Sequence, residues 1–490
     1  MWVGEWVGFD IHVGWYLGVY KMALRRVGVR HMSSRVSRED ISIRNGLGSQ
    51  VATVLGAQWG DEGKGKLADV LQKHYDISAR FAGGSNAGHT LVVNGKKFAF
   101  HLLPCGLVYP HTVNVLGNGV VCYLPSIFEE LEPVHEAGID TKGRLKISDR
   151  CHLLFDFHKQ VDGLLEARRS GSLLGTTKQG VGPGYTSKAT RNGVRAGMLK
   201  EDWSVFENAY TQLAEATEIM YDIEVDKKGE LERIKEMRAK ILEDDMIIDS
   251  VYYLNNAYKQ GKRILAEGAN ACLLDLDFGT YPFVTSSTTT AGGLATGLGL
   301  SPDKLDCAIG VVKAYTTRVG WGPFPTELTD STCGGEVPDG APGTEIGAHL
   351  QKVGAEIGVT TKRKRRCGWF DAPLMQYSVM VNNYTSLNLT KLDVLDDLEE
   401  VKIAVAYKKK STGETLPAGQ MPSTIEGLID IEVVYETMPG WKESIVNARK
   451  FEELPVNCQN YVNRIEELLE CPITWIGVGP GREEMATKGF

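Results

Sequence analysis

The segment "VATVLGAQWGDEGKGKLADV", residues 51–70, contains the pattern that decides the fold. An apolar run at 51–55 enters a glycine-rich loop at 56–66, and apolar residues at helical spacing follow from Leu67. A buried strand that leads through such a loop into a helix is typical of a phosphate-binding loop, because a helix N-terminus presents free N–H groups and the positive end of a dipole. The segment therefore predicts an α/β fold with an anion site.

The loop departs from the ordinary phosphate loop, G-x-x-x-x-G-K-[ST], in two ways. Its spacing is kept by three residues: Gly60, Gly65 and Lys66. However, Leu67 stands where a hydroxyl would bind magnesium, and Asp61 and Glu62 lie inside a loop that receives an anion. An acid there is useful if it holds a cation or removes a proton from a group beside the phosphates, and we expect Asp61 to do both. The alternative is a tight turn whose glycines merely pack.

The composition is that of a globular protein with a sizeable core, since 42% of the 490 residues are hydrophobic and 24% are charged. The net charge of −8 argues against a general nucleic-acid binder, whose affinity comes from summed positive charge. The nine cysteines form no C-x-x-C pair, which argues against structural zinc and a disulfide framework and predicts a reducing compartment, the cytoplasm. The sequence contains no run of about 20 apolar residues, so it predicts no membrane span.

Residues 1–50 differ from the rest of the chain and are predicted to be an extension ahead of a single catalytic domain at 51–490. The Arg- and Ser-containing part at 22–38 fits an organelle transit peptide, but acidic residues nearer the start do not. We favour an unstructured extension, or an upstream stretch before a later methionine start, over organelle targeting.

Short apolar runs that end in glycine or polar residues recur along the chain, and they are typical of parallel strands buried on both faces. After 51–55 they occur at 77–84, 113–124, 263–271, 307–318, 387–393, 402–407 and 473–482. Residues 200–248 instead have helix-like spacing with alternating charge. In an open α/β sheet, ligands bind beyond the carboxyl ends of the strands. The sequence thus predicts one domain with a large, mostly parallel central sheet flanked by helices, a phosphate-loop-like site and long active-site loops.

Two further loops offer groups for phosphate, and the first of them follows a predicted strand. "GGSNAGHT" (83–90) places His89 where an imidazole donates to a phosphoryl oxygen, although a lone histidine is more often structural. "GTTKQGVGPGY" (175–185) offers hydroxyl and N–H groups to a monophosphate, and Arg191 beyond it would clamp an anion. A surface loop is the alternative for the second segment.

Two motifs nearer the C-terminus fit a purine nucleotide and a dicarboxylate. "VTTKRKRRCGW" (359–369) places five basic residues behind two threonines, and arginine binds a carboxylate bidentately. A nuclear-import signal or a solvated surface is the alternative. In "TKLD" (390–393), Asp393 would accept two hydrogen bonds from the guanine edge while the stem of Lys391 stacks on the ring. Adenine lacks this pair of donors, so the motif predicts selection of GTP over ATP.

These segments, taken together, resemble the adenylosuccinate synthetase family from about residue 51 to residue 482. The resemblance is carried in order by "GAQWGDEGKGK", "NAGHT", "GTTKQGVGPGY", "EGANACLLDLDFGTYPFVTSS", "VTTKRKRRCGW" and "TKLDVLD". It implies a ligase that forms a carbon–nitrogen bond, making adenylosuccinate from IMP and L-aspartate while GTP becomes GDP and phosphate. It also implies a 6-phosphoryl-IMP intermediate, a Mg²⁺ requirement, a place at the first committed step of AMP synthesis, and a homodimer.

The resemblance also implies roles for individual residues. Asp61 would be the general base and, with the backbone of Gly88, a magnesium ligand, and His89 would be the general acid. GTP would be bound by Gly60, Asp61, Glu62, Gly63, Lys64, Gly65, Lys66, Gly88, His89, Thr90, Arg365, Lys391, Leu392, Asp393, Gly477, Val478 and Gly479. IMP would be bound by Asp61, Lys64, Asn86, Ala87, Gly88, His89, Thr177, Asn270, Thr285 and Arg363, with Arg191 reaching across from the other subunit. Aspartate would be bound by Val359, Thr360, Thr361, Lys362, Arg363, Lys364 and Arg365.

Other functions fit the sequence less well. A guanine-nucleotide switch protein would carry a complete G-x-x-x-x-G-K-[ST] and an N-K-x-D motif, whereas this chain has Leu67 and T-K-L-D. A related ligase that uses ATP is disfavoured by Asp393, and a catalytically silent relative by the presence of both Asp61 and His89.

Two residues depart from the pattern of the family. Asn270 replaces the bacterial glutamine, which makes the chain resemble eukaryotic members, and Lys362 replaces a glycine that often serves a positive backbone angle. The sequence assigns the side chain of Glu62 no chemical role.

Overall fold

The computed structural model describes residues 42–86, 88–93, 96–169, 174–328, 345–358 and 363–489. The strands described are β1 (Val51–Gly56), β2 (Ile77–Arg80), β3 (His89–Val93), β4 (Lys96–Phe100), β5 (Val113–Leu116), β6 (Val121–Tyr123), β7 (Leu145–Ser148), β8 (His152–Leu154), β9 (Ile247–Ile248), β10 (Ile264–Glu267), β11 (Cys307–Lys313), β12 (Thr316–Arg318), β13 (Arg366–Gly368), β14 (Phe370–Asp371), β15 (Ser386–Thr390), β16 (Glu400–Lys409), β17 (Ile431–Pro439), β18 (Ile473–Gly477) and β19 (Met485–Thr487).

The α-helices with bounds in the described part of the chain are α1 (Lys64–Gln72), α2 (Leu124–Glu136), α3 (Asp156–Ala167), α4 (Val181–Thr190), α5 (Trp203–Tyr221), α6 (Lys227–Glu243), α7 (Ser250–Lys259), α8 (Gly292–Leu298), α9 (Glu345–Val353), α10 (Ala372–Asn382), α11 (Ile425–Ile429) and α12 (Val456–Leu469). The predicted helical region at 200–248 contains two of them, α5 and α6. No helix within the described ranges is long and apolar enough to cross a bilayer.

The central sheet contains ten strands among the described residues, in the order β19-β18-β15-β11-β1-β10-β2-β5-β7-β9. Every neighbouring pair is parallel except β18 and β19, which are antiparallel. The prediction of a large, mostly parallel sheet flanked by helices is confirmed. Because parallel strands all point the same way, the loops that follow them meet at one edge of the sheet.

Strand β1 lies between β10 and β11 and is buried along its whole length. Val51 and Leu55 pack into one hydrophobic core, whereas Ala52 and Val54 pack into a second core. A strand covered on both faces has no position that favours a polar side chain. This burial explains the continuous apolar run that precedes the phosphate loop.

The prediction that residues 402–407 continue the central sheet is wrong. They lie in β16, which pairs with β14 and β17 in a separate three-stranded sheet. An apolar run marks a strand but carries no information about which sheet the strand joins. Two other runs each contain two strands instead of one: 113–124 holds β5 and β6, and 307–318 holds β11 and β12.

Residues 42–50 are part of the folded body, although the predicted extension reached residue 50. Trp475 Nε1 donates to the carbonyl of Asn45 at 3.0 Å, and the Arg263 guanidinium donates to the carbonyl of Leu47 at 2.7 Å. The side chain of Leu47 packs against the core that contains Ala52. The folded body therefore reaches at least as far as residue 42, and the prediction for residues 1–41 lies outside the described residues.

Candidate active site

A cavity of about 650 Å³ lies at the edge of the sheet where β1, β2, β10 and β15 end. Predicted site residues from distant parts of the chain line it: Gly60, Asp61, Gly63, Lys64, Gly65, Lys66, Asn86, Gly88, Thr177, Asn270, Thr285, Arg365 and Lys391. Their convergence follows from the parallel sheet, because each belongs to a segment that follows a strand or packs over that edge.

Other predicted residues are described but do not contribute to the lining of this cavity: Glu62, Arg191, Arg363, Lys364, Leu392, Asp393, Gly477, Val478 and Gly479. The predictions for Ala87, Val359, Thr360, Thr361 and Lys362 lie outside the described residues. His89 and Thr90 are placed by their backbone as the first residues of β3, where His89 pairs with Phe100, and their side chains also lie outside the description.

The phosphate loop ends in a helix N-terminus that is open to a ligand. Gly63 precedes α1 with φ of 90°, a left-handed conformation, and no side chain caps the helix. The first N–H groups of an α-helix have no partner inside the helix, so an anion at this point is stabilised by them. Lys64, in the first turn, adds a positive charge at the cavity wall.

Asp61 stands at the wall of the cavity in an ion pair with Arg365. Its Oδ2 accepts a hydrogen bond from Arg365 Nε at 2.7 Å, and its side chain remains 31% exposed. The two residues are far apart in sequence, and the pair joins the phosphate loop to the basic segment predicted to bind aspartate. A carboxylate in this position is accessible to a substrate and is held in one orientation by a cation.

Several predicted site residues adopt a left-handed backbone conformation that is uncommon outside glycine. Asp61, Arg191, Asn270 and Lys391 have φ between 57° and 65°. Such a conformation costs about 1–3 kcal/mol per residue and persists where the surrounding structure fixes it, often at functional sites. The strained residues therefore support the view that these segments are shaped for a ligand.

Glu62 faces the interior of its own loop and is fully buried. Its Oε1 accepts the N–H groups of Gln58 at 3.1 Å and Gly60 at 2.8 Å, and its Oε2 lies 3.0 Å from Lys64 Nζ. A Cβ on Gly56 would come within 2.7 Å of Oε2, so glycine at that position leaves room for the carboxylate. The second acid of the loop thus fixes the shape of the loop, a role that the sequence did not reveal.

Lys66 connects the phosphate loop to the segment predicted to line the guanine pocket. Its Nζ donates to the carbonyls of Gly479 and Glu484, each at 2.8 Å. Burial lowers the pKa of Lys66 to about 8, against the attraction of Glu484 and Asp393. A second connection runs from Thr390 Oγ1, which donates to the carbonyl of Glu62 at 2.7 Å.

Asp393 has a buried carboxylate oxygen, Oδ1, with no hydrogen-bond partner. Burial also raises the pKa of this carboxyl above its usual range. An unpaired buried acceptor costs free energy that a donor from a ligand recovers. Asp393 therefore has the chemistry expected of a group that accepts hydrogen bonds from a guanine edge.

A comparable orphan is Asn270 Nδ2, which belongs to another residue of the cavity wall and is buried without a partner. Nearby in the predicted IMP set, Asn86 Nδ2 donates to Thr285 Oγ1 over a long 3.4 Å. Arg191 ends α4 at the protein surface, with its backbone N–H bonded to the carbonyl of Lys188. The side chain is exposed and stands apart from the cavity lining of its own chain.

Three carboxylates that support the site gave no recognisable signal in the sequence. Asp162 on α3 accepts from Thr176 Oγ1 and from the N–H of Gly180, both at 2.9 Å, and so braces the predicted monophosphate loop. Glu166, one turn later, accepts from the N–H of Gly175 at 2.7 Å. The third, Glu356, is buried behind Arg365 and Lys391. Charged residues on amphipathic segments usually face solvent, so a pattern alone does not single these out.

Comparison with known proteins agrees with this arrangement. A family profile described as adenylosuccinate synthetase matches residues 53–486. Adenylosuccinate synthetase from Phaeodactylum tricornutum is 50% identical over 447 residues, which are 91% of this chain and 82% of that protein. The Paramecium tetraurelia protein of the same name is 49% identical, over 91% of this chain and 99% of its own length. The structure of fully ligated adenylosuccinate synthetase from Plasmodium falciparum superimposes with a TM-score of 0.84 at 46% identity, covering 90% of this chain and all of that one.

Proposed function

The chain belongs to the adenylosuccinate synthetase family, and from that premise we propose which of its residues perform the reaction. It is a ligase of purine biosynthesis that forms a carbon–nitrogen bond, joining IMP and L-aspartate as adenylosuccinate with GTP as the energy source. The observation that carries the assignment of residues is the position of Asp61, an accessible carboxylate on the phosphate loop at the wall of the cavity.

The first half of the reaction needs a base, because O6 of IMP is a lactam oxygen and a poor nucleophile. We assign that base to Asp61, which removes the proton from N1 so that negative charge develops on O6. O6 then bonds to the γ-phosphorus while the bond from that phosphorus to the GDP oxygen breaks, which gives 6-phosphoryl-IMP and GDP. His89, as the general acid, stabilises the charge that develops on departing GDP.

In the second half, the amino group of aspartate bonds to C6, the phosphate leaves with the C6–O6 electron pair, and the nitrogen gives up one proton, which the released phosphate accepts. The basic segment that contains Arg363 and Arg365 binds the two carboxylates of aspartate and so holds the amine near C6. Arg365 is already fixed at the cavity wall by its 2.7 Å contact with Asp61. A bound and oriented amine makes this displacement effectively unimolecular.

The family requires magnesium, and the donor atoms present fit that ion. Mg²⁺ prefers oxygen ligands and is usually held by one or two carboxylates together with substrate phosphates. We assign the carboxylate of Asp61 and the backbone carbonyl of Gly88 to this role, since both residues line the cavity. When bound, the ion neutralises charge on the phosphoryl oxygens.

We propose that the enzyme works as a homodimer in which Arg191 completes the IMP site of the partner. The side chain is exposed, is anchored on a strained backbone with φ of 65°, and does not line its own cavity. An arginine held in this way on a surface is suited to bind a phosphate on a neighbouring molecule.

A reducing location such as the cytoplasm is supported by the cysteines. The eight that fall in the described ranges are buried free thiols. Disulfides are rare in such a compartment. Fractionation of cells that express the full chain would check this proposal, and recovery in an organelle fraction would contradict it.

The function is tested by mixing the purified protein with IMP, GTP, L-aspartate and Mg²⁺ and following absorbance as the purine gains its amino substituent. We expect no change when any one component is left out and a much slower change when ATP replaces GTP. A switch protein would instead release phosphate from GTP without IMP or aspartate. That result would contradict the proposed function.

A further inference from the structure

We propose that Glu356 is a positioning residue that couples the guanine end of the GTP site to the aspartate-binding end. It does so by pairing with Lys391 and Arg365 through the two oxygens of one carboxylate. The inference rests on the proposed function, in which Lys391 lies against guanine and Arg365 binds aspartate.

The carboxylate of Glu356 is fully buried and accepts hydrogen bonds from four donors. Its Oε2 accepts from Lys313 Nζ at 2.8 Å and from Arg365 Nη1 at 2.7 Å. Its Oε1 accepts from Lys391 Nζ at 2.8 Å and from the Tyr315 hydroxyl at 2.5 Å. A carboxylate offers about four acceptor positions, and here all of them are used. The side chain thus has a single orientation, and so do its partners.

The charges of this cluster are unequal, because one carboxylate faces three cations. Burial alone would raise the pKa of Glu356, but the attraction of Lys313, Lys391 and Arg365 outweighs it and holds that pKa well below its usual range. The carboxylate is therefore ionised at neutral pH. Arg365 and Lys391 both line the cavity where anionic substrates bind, and Arg365 is paired with Asp61 as well, so two carboxylates face three cations.

Glu356 also lies at the base of the predicted aspartate loop. The N–H of Arg365 donates to the carbonyl of Glu356 at 2.9 Å, and the N–H of Gly358 donates to the carbonyl of Arg363 at 2.8 Å. These bonds form a short antiparallel ladder on either side of residues 359–362. Arg365 is consequently held by the backbone of Glu356 as well as by its side chain.

On the guanine side, Glu356 fixes a lysine whose backbone is strained. Lys391 has φ of 57° and precedes the short 3₁₀ helix Leu392–Leu395, which contains Asp393. Its Nζ donates to the carbonyl of Gly354 as well as to Glu356. With its tip held at two points, the stem of Lys391 keeps one position, two residues before Asp393. Loss of the charge on Glu356 would release this stem and Arg365 together.

The test is Glu356→Gln, which keeps the size of the side chain and removes its charge. We expect KM for GTP and KM for aspartate each to rise about tenfold or more, because two substrate-facing cations lose a buried partner. KM for IMP should change by less than about threefold, since the four side chains that donate to the Glu356 carboxylate, from Lys313, Tyr315, Arg365 and Lys391, are outside the predicted IMP set. Glu356→Asp, which keeps the charge, should recover part of both losses.

Glu327→Gln is the matched control, because Glu327 is a carboxylate paired with Arg366, the residue that follows Arg365. It should leave all three KM values within about twofold, as expected for an independent site. If Glu356→Gln does not fold, Glu356→Gln combined with Lys313→Met removes a buried cation together with the carboxylate and permits the same measurement. Thermal unfolding of each variant reports on its folding.

Equal changes in all three KM values, or a rise for GTP without one for aspartate, would overturn the coupling. A lack of synthesis by the unmodified protein would overturn the proposed function instead. The two failures are therefore distinguishable.

Discussion

At the GTP end of the cavity, around the phosphate loop and Glu356, the chain supplies partners for most of its own charges. At the IMP end, around Asn270, it leaves a buried donor without a partner. Glu62 is paired with Lys64, Asp61 with Arg365, and Glu356 with three cations. At the IMP end, the buried Nδ2 of Asn270 has no partner. The GTP end is thus held by ion pairs within the chain, whereas the IMP end keeps a donor that a bound substrate can satisfy.

The comparison has one instructive exception. Asp393 Oδ1 is an orphan at the GTP end, and it lies where a guanine edge is proposed to bind. Polyphosphate can bind to charged groups that are already paired within the protein, because the charge of the phosphates attracts the cations of those pairs. A base edge must be read by directed hydrogen bonds, so its acceptor has to be left open. The difference between the two ends therefore reflects the chemistry of each substrate group.

The largest effect on turnover is expected for Asp61→Asn, at the GTP end. The amide cannot take the N1 proton, so turnover should fall by about 10²- to 10⁴-fold, the usual contribution of general acid–base catalysis. GTP binding, measured by titration calorimetry, should remain detectable because Lys64 and the helix N-terminus are intact. Asp245→Asn, a change at an exposed acid outside the cavity, is the control and should keep full turnover. Near-normal turnover of Asp61→Asn would remove its assignment as the base.

The next largest effect is expected for Asp393→Asn, which tests whether the unpaired oxygen of Asp393 binds guanine. Loss of a charged acceptor for guanine should reduce the preference for GTP over ATP by about 10- to 100-fold. The ratio of kcat/KM for the two nucleotides measures this preference. Asp397→Asn changes an exposed acid close by in the chain and should leave the ratio unaltered. An unchanged ratio in Asp393→Asn would refute the assignment of the guanine reader.

A smaller effect is expected for Arg191→Leu, at the IMP end. If the residue binds the phosphate of IMP in the partner subunit, KM for IMP should rise about tenfold while KM for GTP stays the same. Mixed dimers of Arg191→Leu and Asp61→Asn should regain part of the activity, since one of their two sites is complete. Lys142→Leu, at another exposed cation, serves as the control. A lack of recovery in well-mixed dimers would argue against a shared site.

The smallest effect concerns Asp371, a buried carboxyl that contrasts with Glu356. It accepts from the Tyr407 hydroxyl at 2.6 Å and from the N–H of Leu374 rather than from a cation, and burial raises the pKa of Asp371 to about 7. The folded protein therefore favours the protonated form. Its contribution to stability is fully present below about pH 4, the ordinary range of an aspartate, and is lost as the pH rises through about 7.

Asp371→Asn should remove this pH dependence. Urea unfolding at several pH values between 4 and 8 would show a flatter profile of the free energy of unfolding than in the unmodified protein. If the two profiles have the same slope, Asp371 titrates normally in the folded state.

Much of the fold and of the site could be predicted from short patterns. The apolar run of β1, the loop after it and the motif at 390–393 each combine a strand end with the groups that follow it, so their local sequence carries the information. The same logic failed for β16, because an apolar strand is equally suited to either sheet. It also placed the end of the extension at residue 50, since the hydrogen bonds that the carbonyls of Asn45 and Leu47 accept from Trp475 and Arg263 come from more than 200 positions away.

Local sequence was enough to predict the sheet class, which the structure confirms, and to propose the phosphate loop with its acid Asp61 and the guanine-binding residue Asp393, because strand burial, glycine-rich turns and side-chain chemistry are local properties. Which charges meet was set by the folding of the whole chain. Glu62 faces the interior of its loop and fixes the shape of that loop. Lys66 donates to the segment at 479–484, and Glu356 pairs with cations from three separate segments. A carboxylate has no sequence pattern that names its partner, since the energy of an ion pair depends on distance and burial, which only the folded path of the chain sets.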